Sequence, residues 1–389
     1  MKSLDVFTSF QKETTLTCSK LSRKQTGNPG SIIFKDSLVC GTLPLDWKKA
    51  HVSALHKKGP KDIPGNYRPV SLTSVVCKLL ESILRDIIIE HMKSNNLFSK
   101  YQYGFITGRS TVLQLLTVLD KWTLELDQGG SIDVLYFDFM KAFDRVPHKY
   151  LLAKLSSYGV QGNIFTWIKD FLSNRQQRVK VGNSYSRWHE VTSGIPQGSV
   201  LGPILFVIFI NDLPERVSFS NVFLFADDLK VFRPITSAND QAKLQHDVDS
   251  LVGWSKESCL FFHPDKCKSM RISSKPHSEI KYYLDGGLVQ QSEEEKDIGV
   301  IIDSTLSFDA HISAKIKKAN SVLGIIARNF EYKDKETVLV LYKALVCPHL
   351  EYANQIWAPY LSKHIEAIEA VQRRMTRQVP GLKDVPYEN

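Results

Sequence analysis

Two acidic signatures set far apart constrain this chain more than any other feature: Asp133-Val134-Leu135-Tyr136-Phe137-Asp138 and Val222-Phe223-Leu224-Phe225-Ala226-Asp227-Asp228. Each sets carboxylates at the end of a short apolar run rich in β-formers, where a strand reaches the surface. The second run continues as Leu229, Lys230, Val231 and Phe232, so it predicts strand, Asp-Asp turn and strand, a hairpin with two acids at its tip. With Asp138 beside Asp227 and Asp228, three carboxylates would share one spot and repel unless hard cations neutralised them. Phosphoryl transfer by two Mg2+ ions uses such a cluster. Taken singly, either motif is better explained by the turn preference and easy solvation of Asp. The pair, joined to the motifs below, is the signal.

The charge balance adds a direction. Lys and Arg number 50 against 41 Asp and Glu, and from Thr17 to Lys61 nine basic residues face two Asp, a net +7 in one stretch. Such a bias points to a polyanionic partner, with a solvated face as the plain alternative. The 389 residues suffice for a large core and two or three subdomains. The six cysteines show no paired spacing, which favours a reducing compartment. Cys259, His263 and Cys267 lack a fourth ligand nearby and read as structural. Met1 to Phe10 has no apolar leader segment. The longest apolar run, Val200 to Ile210, is too short to cross a bilayer and contains Pro203, so it predicts a buried core helix.

Periodicity sketches the elements. Val76, Leu79, Leu80, Ile83, Leu84, Ile87 and Ile88 share a helical face, and Leu113 to Leu119 mark another helix capped by Ser110 or Thr111. Tyr150 to Tyr158 reads as a helix stopped by Gly159, and Ile164 to Leu172 as a helix capped by Asn163. Gln177 to Val191, broken at Gly182-Asn183, predicts a hairpin. A helix should follow Gly198 and another should span Ser237 to Glu257, with strands at Lys268 to Ile272 and Asp297 to Ile302. From Phe308 onward the pattern turns mainly helical.

Between the acidic motifs lies Ser193-Gly194-Ile195-Pro196-Gln197-Gly198-Ser199, and upstream lies Asn66-Tyr67-Arg68-Pro69-Val70-Ser71-Leu72. With these motifs in this order, the chain resembles a reverse transcriptase of the non-LTR retrotransposon (LINE) type, nearest the CR1 and Jockey-like groups, from Trp47 to Arg377. The resemblance implies an α/β (α+β) right hand: fingers over 31–130, a palm over 131–304 with embedded fingers-like helices, a helical thumb over 305–389, and a poorly specified segment 1–30. It implies that Asp138 binds both metals with help from the Phe139 carbonyl, that Asp227 is the second shared ligand, and that Asp228 is a supporting acid. Arg68 would grip the incoming triphosphate through its bidentate fork, with Lys57 or Lys58 as a partner. Phe143, five residues beyond Asp138, would be a steric gate against a ribose 2′-OH; without the flanking motif it reads as a core Phe. Gln197 and Gly198 would floor the nucleotide pocket, and Lys266 would approach the phosphates.

The activity so implied is template-directed extension of a DNA 3′-OH by dNTPs, with an RNA template, a DNA primer, and two Mg2+ ions for which Mn2+ is the alternative. No membrane is involved, and the expected location is nuclear or cytoplasmic. Ile106 stands where the family often has Arg, and Cys347 and His349 make no Cys/His knuckle. Nothing before Trp47 resembles an endonuclease, so the expectation is the polymerase part of an element or a truncated copy, which would need a nuclease in trans or an existing break to mobilise its RNA. Two rival readings are a catalytically silent, host-retained nucleic-acid-binding protein and a group II intron-like maturase. The intact acids, Phe143 and Arg68 weigh against the first, and the Asn66 to Leu72 and C-terminal patterns against the second.

Overall fold

The computed structural model describes residues 29–275, 279–331, 334–382 and 385. The first 28 residues, most of the segment expected to be poorly specified, lie outside the described residues. A helix, Pro29–Cys40, opens the described part. Nine strands follow, which with the later β12 (Gln290–Gln291) make two sheets: β1 (Lys49–His56), β2 (Tyr67–Leu72), β3 (Ile132–Phe137), β4 (Arg175–Val181), β5 (Ser184–Tyr185), β6 (His189–Val191), β7 (Asn221–Phe225), β8 (Asp228–Pro234) and β9 (Lys268–Ile272). Shorter strands are β10 (Tyr283–Leu284), β11 (Gly287–Leu288), β12 (Gln290–Gln291), β13 (Glu294–Asp297) and β14 (Val300–Asp303).

One five-stranded sheet runs β2-β1-β4-β5, with β6 also on β4; the other runs β12-β9-β3-β8-β7. β3 lies at the centre of the second sheet, antiparallel to both β8 and β9. Its period-two alternation feeds two cores. Leu135 and Phe137 join the cluster containing Leu80, Leu84, Trp167 and Phe206, while Ile132 and Val134 pack with Leu115, Trp122 and Phe232. A strand buried on both faces has no place for a free charge. Asp133, fully buried, is held by Arg271 Nε and Nη2 at 2.6 and 2.7 Å and by the Tyr282 hydroxyl at 2.6 Å. The first acid of the leading signature therefore belongs to the scaffold.

The expected elements largely form, with local differences. Ser110 caps the helix Thr111–Asp127 by accepting from Leu113 N–H, and the apolar run becomes the helix Gly202–Phe209, buried but for Pro203. The hairpin at Gly182-Asn183 pairs Lys180 with Tyr185, but β4 also pairs in parallel with β1, a long-range partner that local periodicity cannot reveal. Asn163 does not cap its helix. That helix, Gly162–Leu172, starts two residues earlier with Gln161 at the cap, and Gly162 takes φ +64° there. Asp297 to Ile302 is not one strand: Ile298 and Gly299 turn at φ +44° and +92°, and β13 and β14 form a hairpin. The C-terminal helices, chiefly Asp309–Asn329 and Ser362–Thr376, close a third core around Leu323, Ile326, Val371 and Met375. Among the described residues no helix is long and apolar enough to cross a membrane.

Beneath β14, His311 is fully buried, accepts from Ile301 N–H through Nδ1 at 2.9 Å, and leans on Trp357 with ring centroids 5.1 Å apart. Burial, then the charges of Lys315 and Lys296, lower its pKa to about 4. The unfolded chain then binds the proton more readily than the folded one, so this site destabilises the fold as pH falls from the ordinary histidine value toward 4. At pH 5 the loss is expected to reach at most about 2 kcal/mol. Urea titrations at pH 7 and pH 5 should show it, and His311→Gln should flatten the difference.

Candidate active site

Asp138 directly follows β3, and Asp227 lies in the two-residue turn between β7 and β8. The turn differs slightly from the sequence expectation: it is Ala226-Asp227, and Asp228 is already paired with Phe225 as the first residue of β8. Ala226 takes φ +54°, which a turn this tight requires. Buried Gln102 braces it, its Oε1 accepting from Gly104 N–H at 2.7 Å and from Ala226 N–H at 2.9 Å. Gly104 is needed for that approach, since a Cβ there would lie 2.4 Å from the Ala226 nitrogen. Near Ile106, Arg109 donates to the Ser99 carbonyl at 2.7 Å and also to the Gln102 carbonyl.

On the other side, His263 N–H donates to the Asp138 carbonyl at 2.7 Å and Met140 N–H to the Phe261 carbonyl at 2.8 Å. This pair of bonds leaves the intervening Phe139 carbonyl unused by the bridge to Phe262, while the Phe139 ring stacks on Phe262 at 4.7 Å. Of the Cys259/His263/Cys267 trio, the buried Cys267 thiol points at the same Asp138 carbonyl, and burial pushes it up to about 11, while the exposed Cys259 thiol faces the Lys256 carbonyl.

The three acids feel one another. Removal from water, and then the Asp138 charge, raise the Asp227 carboxyl against the pull of its own backbone hydrogen bond, Arg68 and Lys57. Asp228 is pushed up to about 6, first by loss of solvent and then by the charges of Asp227 and Asp297. Across the groove, Lys266 Nζ stands 3.1 Å from Asp138 Oδ1. Among the described residues no three His, Cys, Asp or Glu side chains are close enough to form a ready-made metal site. The donor set nonetheless fits hard divalent cations: oxygen ligands only, mutually repelling, with an ammonium group standing beside Asp138 where a cation is wanted.

Arg68 lies on β2 and Lys57 just after β1, and the charges of both lower the Asp227 carboxyl. The half-buried Phe143 ring stacks on Phe206 at 4.5 Å, a contact that core packing accounts for. Gln197 donates to Asp144 Oδ1 at 2.8 Å, and its carbonyl accepts from Ser71 N–H at 2.7 Å. Gly198 has φ +119°, and a Cβ there would meet the Ser71 oxygen at 2.6 Å.

Three holders of the site escaped the sequence reading. Glu81, fully buried, accepts from Val200 N–H at 2.7 Å and Leu201 N–H at 3.1 Å and so fixes the Pro196-Gln197-Gly198 loop from a distant helix. Its signal was a lone acid inside the apolar stripe of Val75–Ser94. Asp144 follows the gate candidate directly, and Lys230 pairs with Asp297 with both side chains 3% exposed. The basic excess of Thr17 to Lys61 is less open than its count suggests. Lys48 is buried against Asp170 at 2.7 Å, Lys49 lies 3.6 Å from Asp46, and the portion before residue 29 lies outside the described residues.

A sequence profile for reverse transcriptase (RNA-dependent DNA polymerase) matches residues 55–302. The chain belongs to the reverse transcriptase family. A probable RNA-directed DNA polymerase from transposon X-element of Drosophila melanogaster is 28% identical over 366 residues, covering 91% of this chain and 40% of that protein. The RNA-directed DNA polymerase from mobile element jockey of Drosophila funebris is 29% identical over 369 residues, covering 90% and 39%. The resemblance to non-LTR elements is thus borne out, and this reverse transcriptase chain spans about 40% of the length of these curated relatives. Apo telomerase from Candida tropicalis superposes with a TM-score of 0.51 at 10% identity over 86% of this chain and 57% of the other, a likeness of fold that supports the right-hand architecture.

Proposed function

We propose that this chain is an RNA-directed DNA polymerase that extends a DNA 3′-OH with dNTPs on an RNA template. The observation that carries it is the meeting of strand-end acids from β3 and the β7–β8 turn with Arg68, Lys57 and Lys266 around one groove. The fingers, palm and thumb follow the spans 31–130, 131–304 and 305–389, with β4 to β6 returning from the palm stretch to the fingers sheet. As a family, reverse transcriptases depend on divalent metal. Two Mg2+ ions held by Asp138, the Phe139 carbonyl, Asp227 and Asp228 would lower the barrier to in-line attack on the α-phosphate. The protein's own part is positioning. Arg68 and Lys57 draw the triphosphate toward the acids, Lys266 offers a proton to the departing pyrophosphate, and Gln197 and Gly198 floor the pocket. Oligo(dT) extension on poly(rA) is the direct test; complete inactivity of the folded protein would favour the silent-binder reading.

Phe143 sets the sugar preference in this reading. Phe143→Ala should raise ribonucleotide incorporation relative to deoxynucleotide on the order of tenfold or more, since steric discrimination by a pocket wall is worth ~1–3 kcal/mol. Unchanged discrimination in single-nucleotide kinetics would make the ring core packing alone, as its stack on Phe206 allows.

A further inference from the structure

The hairpin β4–β5 and the strand β6 carry a feature that none of the residues above uses. Arg178 lies between two rings, its guanidinium carbon 4.2 Å from the Tyr185 centroid and 4.6 Å from that of Trp188. His51 closes the group, 5.4 Å from Tyr185 and 5.6 Å from Trp188 by centroid, with Arg178 Nε 3.3 Å from its Nδ1. Lys180 sits 5.6 Å from the Tyr185 ring. A cation packed between aromatic faces fixes their orientation before anything binds. Yet the rings remain open to solvent, Tyr185 at 47% and Trp188 at 36%.

Strand register tells which way the group faces. Ala50 and Val52 of β1 are buried, so His51 and Ser53 belong to the open face. Through the pairings His51 with Leu72, Leu55 with Arg68, His51 with Arg178, and Lys180 with Tyr185, the same face carries Arg68 at one edge and the ring group at the other. The charge of Arg68 reaches Asp227. The ring group is therefore continuous with the surface that borders the acidic groove.

We propose that Tyr185 and Trp188, clamped around Arg178, form a stacking platform for unpaired bases of a single-stranded nucleic acid. Aromatic faces accept any base, and Arg178, Lys180 and Arg68 supply charge complementary to a phosphate backbone running along the face. A duplex hides its base faces, so the occupant is a single strand. This rests on the polymerase reading and deepens it: the strand is the template ahead of the groove.

The test is binding, without dNTPs, of a fluorescent primer–template duplex bearing a 5′ template overhang of about six nucleotides, against its blunt counterpart. The parent protein should prefer the overhung form by about tenfold, with Trp188 emission quenched on binding. Tyr185→Ala and Trp188→Ala should each cut that preference several-fold, leave blunt-duplex affinity unchanged, and keep the parent melting temperature; Tyr185→Phe should retain the preference. Equal affinity of the parent for overhung and blunt forms would overturn the platform, as would full preference in the folded double alanine variant. Primer extension scored in parallel separates the two readings: the platform variants should still extend a primer across a single-nucleotide template overhang, whereas a folded parent protein that extends no overhung primer would count against the polymerase reading itself.

Discussion

Replacing Asp138 or Asp227 with alanine is expected to abolish primer extension while leaving the fold intact. Neither carboxylate is needed by the scaffold in the way Asp133 is. Asp138 is half-exposed and, among the described residues, bonded by its side chain only to Lys266, and Asp227 sits in a turn whose backbone is held by Gln102. Loss of a metal ligand should cost at least ~4 kcal/mol of transition-state stabilisation, on the order of a thousandfold in rate. Single-turnover extension and thermal melting, run on the same preparations, are the measurements. A variant that melts normally and extends at the parental rate would remove Asp138 or Asp227 from the chemistry.

The second large effect is expected at Lys230 and Asp297. The pair joins β8, immediately beyond Asp228, to the β13–β14 hairpin, and both partners are almost fully buried. Lys230→Met leaves the Asp297 charge in the interior without its partner, a loss of roughly 3–5 kcal/mol. Converting both, Lys230→Met with Asp297→Leu, should recover most of it, because two apolar groups of similar volume need no desolvation. Chemical denaturation of the two single variants and the double variant completes the cycle; a double variant as unstable as the sum of the singles would show that the two residues act separately.

The contrast between these two sites explains what could be read from the chain. Asp138 and Asp227 announced themselves because each acid ends a run of β-formers and sits in a local pattern with its own spacing. The Ser110 cap and the buried run Val200 to Ile210 were legible for the same reason: their physics is complete within a few residues. Lys230 reads locally as an outward residue of an alternating strand, and only its partner on β13 explains why a lysine is tolerated at 2% exposure. Glu81 was hidden likewise, its purpose lying in two N–H groups beyond Gly198. The misplaced cap at Asn163 and the split of Asp297 to Ile302 share another cause. Both turn on a left-handed backbone position, at Gly162 and at Ile298-Gly299, and hydrophobic period carries no information about that.

The order in which the chain visits its two sheets has a consequence for how the molecule is made. β1 and β2 enter the first sheet, β3 crosses to the second, β4 to β6 return, and β7 to β9 cross again. During synthesis β1 must therefore wait, its parallel edge unpaired, until the ribosome has delivered Asp138 and the helices Ala142–Arg145, His148–Ser157 and Gly162–Leu172 beyond it. Assembly of either sheet alone would strand the other half-built, so the nascent chain gains little by folding from its N-terminus and commits late, with both sheets closing together. A cut between β3 and β4 accordingly yields no self-sufficient half, and the two fragments should regain structure only when mixed.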